Sequence, residues 1–245
     1  MFGHRRLAAW PLMNAESSNH SWLRDFHGGY LLEGYTLTLV RGLSPQEFLD
    51  RVGADPTGDY GGFEAFAARD REFQEDQTDW GDFMFVGVTR VQGKDADWVL
   101  ALEINGGIEI QTDCMKDATR GTRAVSHFRS PNAMTLFSWW EDGELRTRFE
   151  GAQQREGTTP DELVDLMLHV GFDFGKGICD LEEYVALADV LTGVHVTASM
   201  LENGTYSTGI VEVPAQDWPS VIVDLTDAHG TRTYAEIPNP AHDQR

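Results

Sequence analysis

Cysteine is scarce: the 245 residues hold two, Cys114 and Cys179, far apart and in no CxxC pair. This excludes a disulfide framework and a thiolate zinc ribbon, and it makes a reducing compartment the expected one. Basic residues are scarce too, 19 Lys and Arg against 40 Asp and Glu, for a formal charge of −21. Such a surface repels phosphate, which argues against nucleic acids and anionic membranes as partners. No apolar run approaches the roughly 18 residues that a bilayer-spanning helix needs. The opening MFGHRRLAAWPLM has two arginines and a short apolar stretch, but Pro11 breaks it and no small-residue cleavage site follows. A cytoplasmic location is therefore expected.

Familiar catalytic signatures are missing as well. GxSxG, HExxH and GxGxxG do not occur. Asp173-Phe174-Gly175 has no upstream catalytic loop or lysine strand to make it a kinase motif. GFDFGKG (171–177) is one residue short of a phosphate loop and lacks the Ser or Thr after its lysine. A site built from His20, His27 and Asp25 would be guesswork, so neither a metal nor a cofactor is expected.

What the chain does have is a folding composition, 41% hydrophobic and 11% aromatic. Residues 1–29 are polar and expected to be loose. YTLTLVR (35–41) alternates as a strand. Ser44, Pro45 and Glu47 open a helix over 44–52 with a capping box, and 63–73 places Phe63, Phe66, Asp70 and Phe73 on one side of a short helix. ADPTGDYGG reads as a loop. Strands are expected at 83–91, 98–104, 122–128, 134–140 and 144–150, with a short helix over 111–121. An Asp142-Gly143 turn sets Trp140 across from Leu145 and Leu136 across from Phe149. Thr159 and Glu162 are expected to cap a helix over 158–171, Asp180 and Glu183 one over 179–193. Thr197 caps a single turn, and strands follow at 206–213, 220–226 and 231–237.

Two places invite chemistry. WVLALEINGGIEIQ (98–111) reads as a hairpin. A three-residue loop, Asn105-Gly106-Gly107, keeps Trp98, Leu100, Leu102, Ile104, Ile108 and Ile110 on one buried face. Glu103 then lies across from Glu109. Such a pair is either a solvated face or a pair satisfied by an arginine such as Arg90, or else a general acid–base or cation-binding pair if it is half buried. The hairpin at 134–150 sets Phe137 and Trp139 against Arg146 and Arg148, as a surface cation–π ladder or a shallow binding face.

GYTLTLVRGLSPQEFLDRVGA (34–54), DWVLALEINGG (97–107), GTRAVSHFRSPNAMTLFSWWEDGELRTRFE (121–150) and LTGVHVT (191–197) together resemble a family of actinobacterial proteins of unknown function. The resemblance covers roughly residues 30–200 and implies no activity and no site residues. At fold level, an acidic α+β domain also has an analogy with immunity proteins that neutralise toxins.

The expected fold is α+β: a mainly antiparallel sheet with helices packed on one face. The expected division is a loose segment 1–29, a domain 30–200 and a β extension with a tail over 201–245. The expected function is a non-enzymatic acidic binding protein, an immunity-type or regulatory factor for a basic protein. The alternative is a hydrolase or nuclease-like enzyme using Glu103 and Glu109, with or without a divalent metal.

Overall fold

A computed structural model describes residues 20–76, 82–176 and 179–213, and the backbone of 220–226 and 232–238. The chain divides into two compact units, Met1–Glu212 and Val213–Arg245. The first carries β1 Tyr35–Arg41, β2 Asp55–Gly61, β3 Phe83–Gln92, β4 Asp97–Ile104, β5 Arg123–Arg129, β6 Thr135–Glu141, β7 Glu144–Phe149, β8 Arg155–Glu156 and β9 Thr205–Glu212. These strands form one nine-stranded sheet, β2-β9-β3-β4-β1-β5-β6-β7-β8, and every pairing in it is antiparallel. The second unit holds an antiparallel pair, β10 Ser220–Thr226 and β11 Arg232–Pro238. The fold is α+β, with α1 Trp22–Asp25, α2 Pro45–Arg51, α3 Phe63–Asp76, α4 Thr112–Ala118, α5 Val164–Val170, α6 Leu181–Thr192 and α7 Ala198–Asn203.

β4 explains the layering. From Trp98 to Ile104 it is buried at every position, between β3 and β1. A strand wet on neither face needs cover on both. On one face Tyr35, Leu37, Leu39, Leu100 and Leu102 pack against Phe63, Phe66 and Phe73 of α3, Leu181 and Val185 of α6, and Leu201 of α7. The opposite face takes α2, whose Leu49 lies so close that a Cβ on Gly209 would sit 3.2 Å from its Cδ2. Helices thus cover both faces, not one.

Local signals place most elements. The Ser44–Glu47 and Asp180–Glu183 capping boxes both form, and Gly193 closes α6 in the left-handed conformation. The Thr197 hydroxyl caps α7 by accepting from Met200 N–H. At the β6–β7 turn, Asp142 and Gly143 have φ of 50° and 77°, the primed turn that the Asp-Gly pair favours.

The departures have physical causes. Asp55–Gly61 is a strand, not a loop; as an edge strand bulged between Pro56 and Gly58 it tolerates proline and glycine. α5 begins only at Val164, because Thr159 and Glu162 are engaged by Arg146: its Nε donates to Thr159 Oγ1 at 3.1 Å and its Nη2 to Glu162 Oε2 at 2.6 Å. Residues 20–33 are ordered, with α1 and two tight turns burying Leu23, Phe26 and Leu31 in the core. A β-bulge between Trp139 and Trp140 leaves Trp140 across from Leu145 but moves Phe149 from Leu136 to Phe137.

Candidate functional site

The Glu103–Glu109 hairpin does not form. β4 already pairs with β1 and β3 on its two edges, so residues 108–111 have no strand edge to join. After Ile104 the chain turns at Asn105, whose φ is 55°, and its N–H donates to Gly34 O at 3.2 Å. A tight turn over Ile108–Ile110 then leads into α4. Ile108 is buried while Ile110 is 45% exposed, so the two do not share a buried face.

The two glutamates are nevertheless brought into one buried layer, with 0% exposure each. The loop closes over them. Thr36 Oγ1 donates to Gly106 O at 2.7 Å, and Gly107 N–H points at Met84 Sδ at 3.3 Å. A Cβ on Gly106 would lie 2.5 Å from Glu103 Oε2, so only glycine lets the loop come this close. Glu103 Oε2 accepts from Ile108 N–H at 2.9 Å, and Glu109 Oε2 from Ser138 Oγ at 3.3 Å. Thr38 and Ser126 complete a hydroxyl layer at 2.8 Å from each other. Among the described residues, Oε1 of each glutamate is buried without a hydrogen-bond partner.

Burial pushes the carboxyl of Glu103 up to about 8, against the Ile108 N–H, and the nearby Glu109 raises it further. Burial does the same to Glu109, up to about 8, opposed chiefly by Arg148. Both acids are therefore held largely protonated at neutral pH. Arg90 is exposed and is not the partner. Arg148 is the nearby cation, its Nη2 donating to the Glu109 carbonyl at 3.3 Å. With no exposed surface, neither carboxyl can touch a substrate in this conformation.

Phe137 and Trp139 of the expected β6–β7 binding face lie inside the protein, while Arg146 and Arg148 are partly exposed. Phe137, Trp139 and Phe149 pack with Met167 of α5 and Tyr184, Leu187 and Leu191 of α6, and the rings of Phe137 and Phe149 stack at 5.1 Å. Two cation–π contacts remain. Arg146 lies 5.3 Å from the Trp139 ring, whereas Arg148, which the bulge in β7 turns to the other side, lies 5.9 Å from the Trp140 ring.

An open cleft of about 650 Å³ is lined by residues from several segments of the chain, among them Arg24, Arg129, Met134, Gln153, Lys176 and Asp180. Met134 is 44% exposed there. The turn before β6 carries Ala133 at φ 63°, an uncommon conformation that shapes the cleft wall. Arg24 is held by Glu182 in a two-pronged contact at 2.5 and 2.8 Å. Arg129 donates through Nε to Leu32 O at 3.2 Å and has no carboxylate partner among the described residues, nor has Lys176.

A family model, described as a family of unknown function (DUF6461), matches residues 13–216. The chain belongs to DUF6461. No curated protein and no solved structure matches it. The DUF6461 match runs beyond 30–200 at both ends, taking in the 20–33 segment and β9. The family carries no assigned activity, so the roles of these DUF6461 residues rest on geometry. The cleft escapes a linear reading because its walls come from α1, the β5–β6 turn, the segment after β7 and the approach to α6. No helix among the described residues is long and apolar enough to cross a membrane.

Proposed function

We propose that this chain is a binding protein whose recognition site is the cleft lined by Arg129 and Lys176, and that it receives a carboxylate group. The observation that carries this reading is an arginine and a lysine that have no ion-pair partner among the described residues, in an open cleft, in a chain of charge −21. A guanidinium whose end groups have no acidic partner is suited to a planar carboxylate. The amides of Gln153 and Gln154 and the exposed Met134 offer hydrogen bonds and an apolar contact beside it. The acidic surface elsewhere favours a partner with a basic face at long range. A basic protein presenting its chain-terminal carboxylate combines both features. A cytoplasmic setting and an actinobacterial source belong to the same reading.

Basic peptides with a free C-terminus are expected to shift the amide resonances of the cleft, and amidated copies of the same peptides are not. Arg129→Glu is expected to weaken binding at least about tenfold, the loss of a charge-assisted pair. Equal binding of free and amidated peptides, or unchanged binding by the variant, would show that the cleft is not a carboxylate site.

A further inference from the structure

We propose that His20, Asp189 and His195 form a binding site for one divalent transition-metal ion, zinc foremost. His20 precedes α1, Asp189 sits in the last turn of α6, and His195 follows that helix. Gly193, left-handed at φ 68°, donates to Asp189 O at 2.7 Å and reverses the chain. The buried Val194 and Val196 fix the segment that follows, so His195 is returned to Asp189. One donor atom from each of the three residues lies within 4.8 Å of the other two.

The distances suit a small ion. Asp189 Oδ2 is 2.6 Å from His195 Nδ1 and 3.7 Å from His20 Nε2. Metal–ligand bonds of about 2.0–2.1 Å in a tetrahedron set ligand atoms roughly 3.3 Å apart, so the observed pair brackets the required edge and small side-chain movements suffice. Among the described residues Asp189 Oδ1 is buried with no hydrogen-bond partner, which a second bond to the ion would satisfy.

Two imidazoles and one carboxylate select zinc and its neighbours in the first transition row, whereas magnesium and calcium prefer all-oxygen shells. The His195 side chain is 56% exposed while that of His20 is 2% exposed, so the site is closed on one side and open on the other. Three protein ligands with an open position leave room for a water or a ligand atom. None of the three residues lines the cleft, and the ion would tie the segment before α1 to the end of α6.

The test uses the full chain without an affinity tag, stripped with chelator and titrated separately with zinc chloride and cobalt chloride. One zinc per chain by native mass spectrometry, together with the intense visible absorption of low-symmetry cobalt, is the expected result. His195→Ala changes an exposed side chain and should leave the fold intact, and Asp189→Asn keeps the shape of its side chain. Each is expected to weaken zinc binding at least about tenfold, the scale on which even outer partners of a metal act. A parent chain that takes up no zinc at equimolar concentration overturns the proposal. So does either folded variant that binds zinc as tightly as the parent.

Discussion

At pH 9 the double variant Glu103→Gln/Glu109→Gln is expected to be more stable than the parent, and at pH 5 the two are expected to be close. Both carboxyls are pushed by burial from an ordinary 4.5 up to about 8. Between those values the folded chain binds more protons than the unfolded chain, so stability falls as pH rises. The protonated acids stabilise fully below about pH 4.5, and their contribution is lost as pH climbs through 8. At about 1.4 kcal/mol for each pKa unit, a gap of this size amounts to a few kcal/mol per group, shared between two acids that titrate together. Glutamine keeps the shape and cannot ionise. The check is urea unfolding of parent and variant at pH 5, 7 and 9: the parent midpoint should fall steeply and the variant midpoint much less. Forty acidic residues bring a pH dependence of their own, so the difference between the two curves is what counts. Parallel curves would mean that the pair is not buried beneath the 105–110 loop. Amide exchange at Ile108, whose N–H serves Glu103, should quicken in the parent above pH 8 beyond the ordinary effect of base, as ionisation strains the closed loop.

That pair shows which features a linear reading can reach. Caps and turns are contests among neighbouring residues, so Ser44 with Glu47, Asp180 with Glu183, and Asp142-Gly143 settle their elements locally. The hairpin at 98–111 failed because its pairing depends on whether β4 has a free edge, and β1 and β3 occupy both. The apolar alternation of 98–104 suggests one buried face and leaves the Glu103 face wet or half buried, yet Val99, Ala101 and Glu103 are fully buried too. A glutamate in such a run looks like a solvent marker until the covering loop is known. Phe137 and Trp139 lie inside for related reasons: α5 and α6 arrive from far along the chain, and a one-residue bulge in β7 brings Phe149 to their face and turns Arg148 away. Thr159 and Glu162 carry a valid capping signal that Arg146 diverts. The His20, Asp189 and His195 cluster joins residues about 170 positions apart, a distance over which spacing carries no information.

Gly87→Ala in β3 is expected to destabilise the fold by about 1–3 kcal/mol, an overpacking cost, and Phe66→Ala in α3 by about 3–5 kcal/mol, for the cavity it leaves. Together they are expected to cost less than their sum by on the order of 1 kcal/mol or more. A Cβ at position 87 would lie 2.4 Å from Phe66 Cε2 and 2.7 Å from its Cδ2. The ring cannot turn aside, because it stacks on Tyr206 at 4.7 Å and on Phe85 at 5.7 Å. Removing the ring empties the volume that the new methyl needs, so the second substitution becomes cheap once the first is made. Urea unfolding of the four chains in the cycle measures the coupling. The outcome also tests the topology, because Tyr206 belongs to β9, which enters the sheet between β2 and β3 from late in the chain. Were β9 elsewhere, Phe66 could swing away, Gly87→Ala would be nearly neutral and the two effects would simply add.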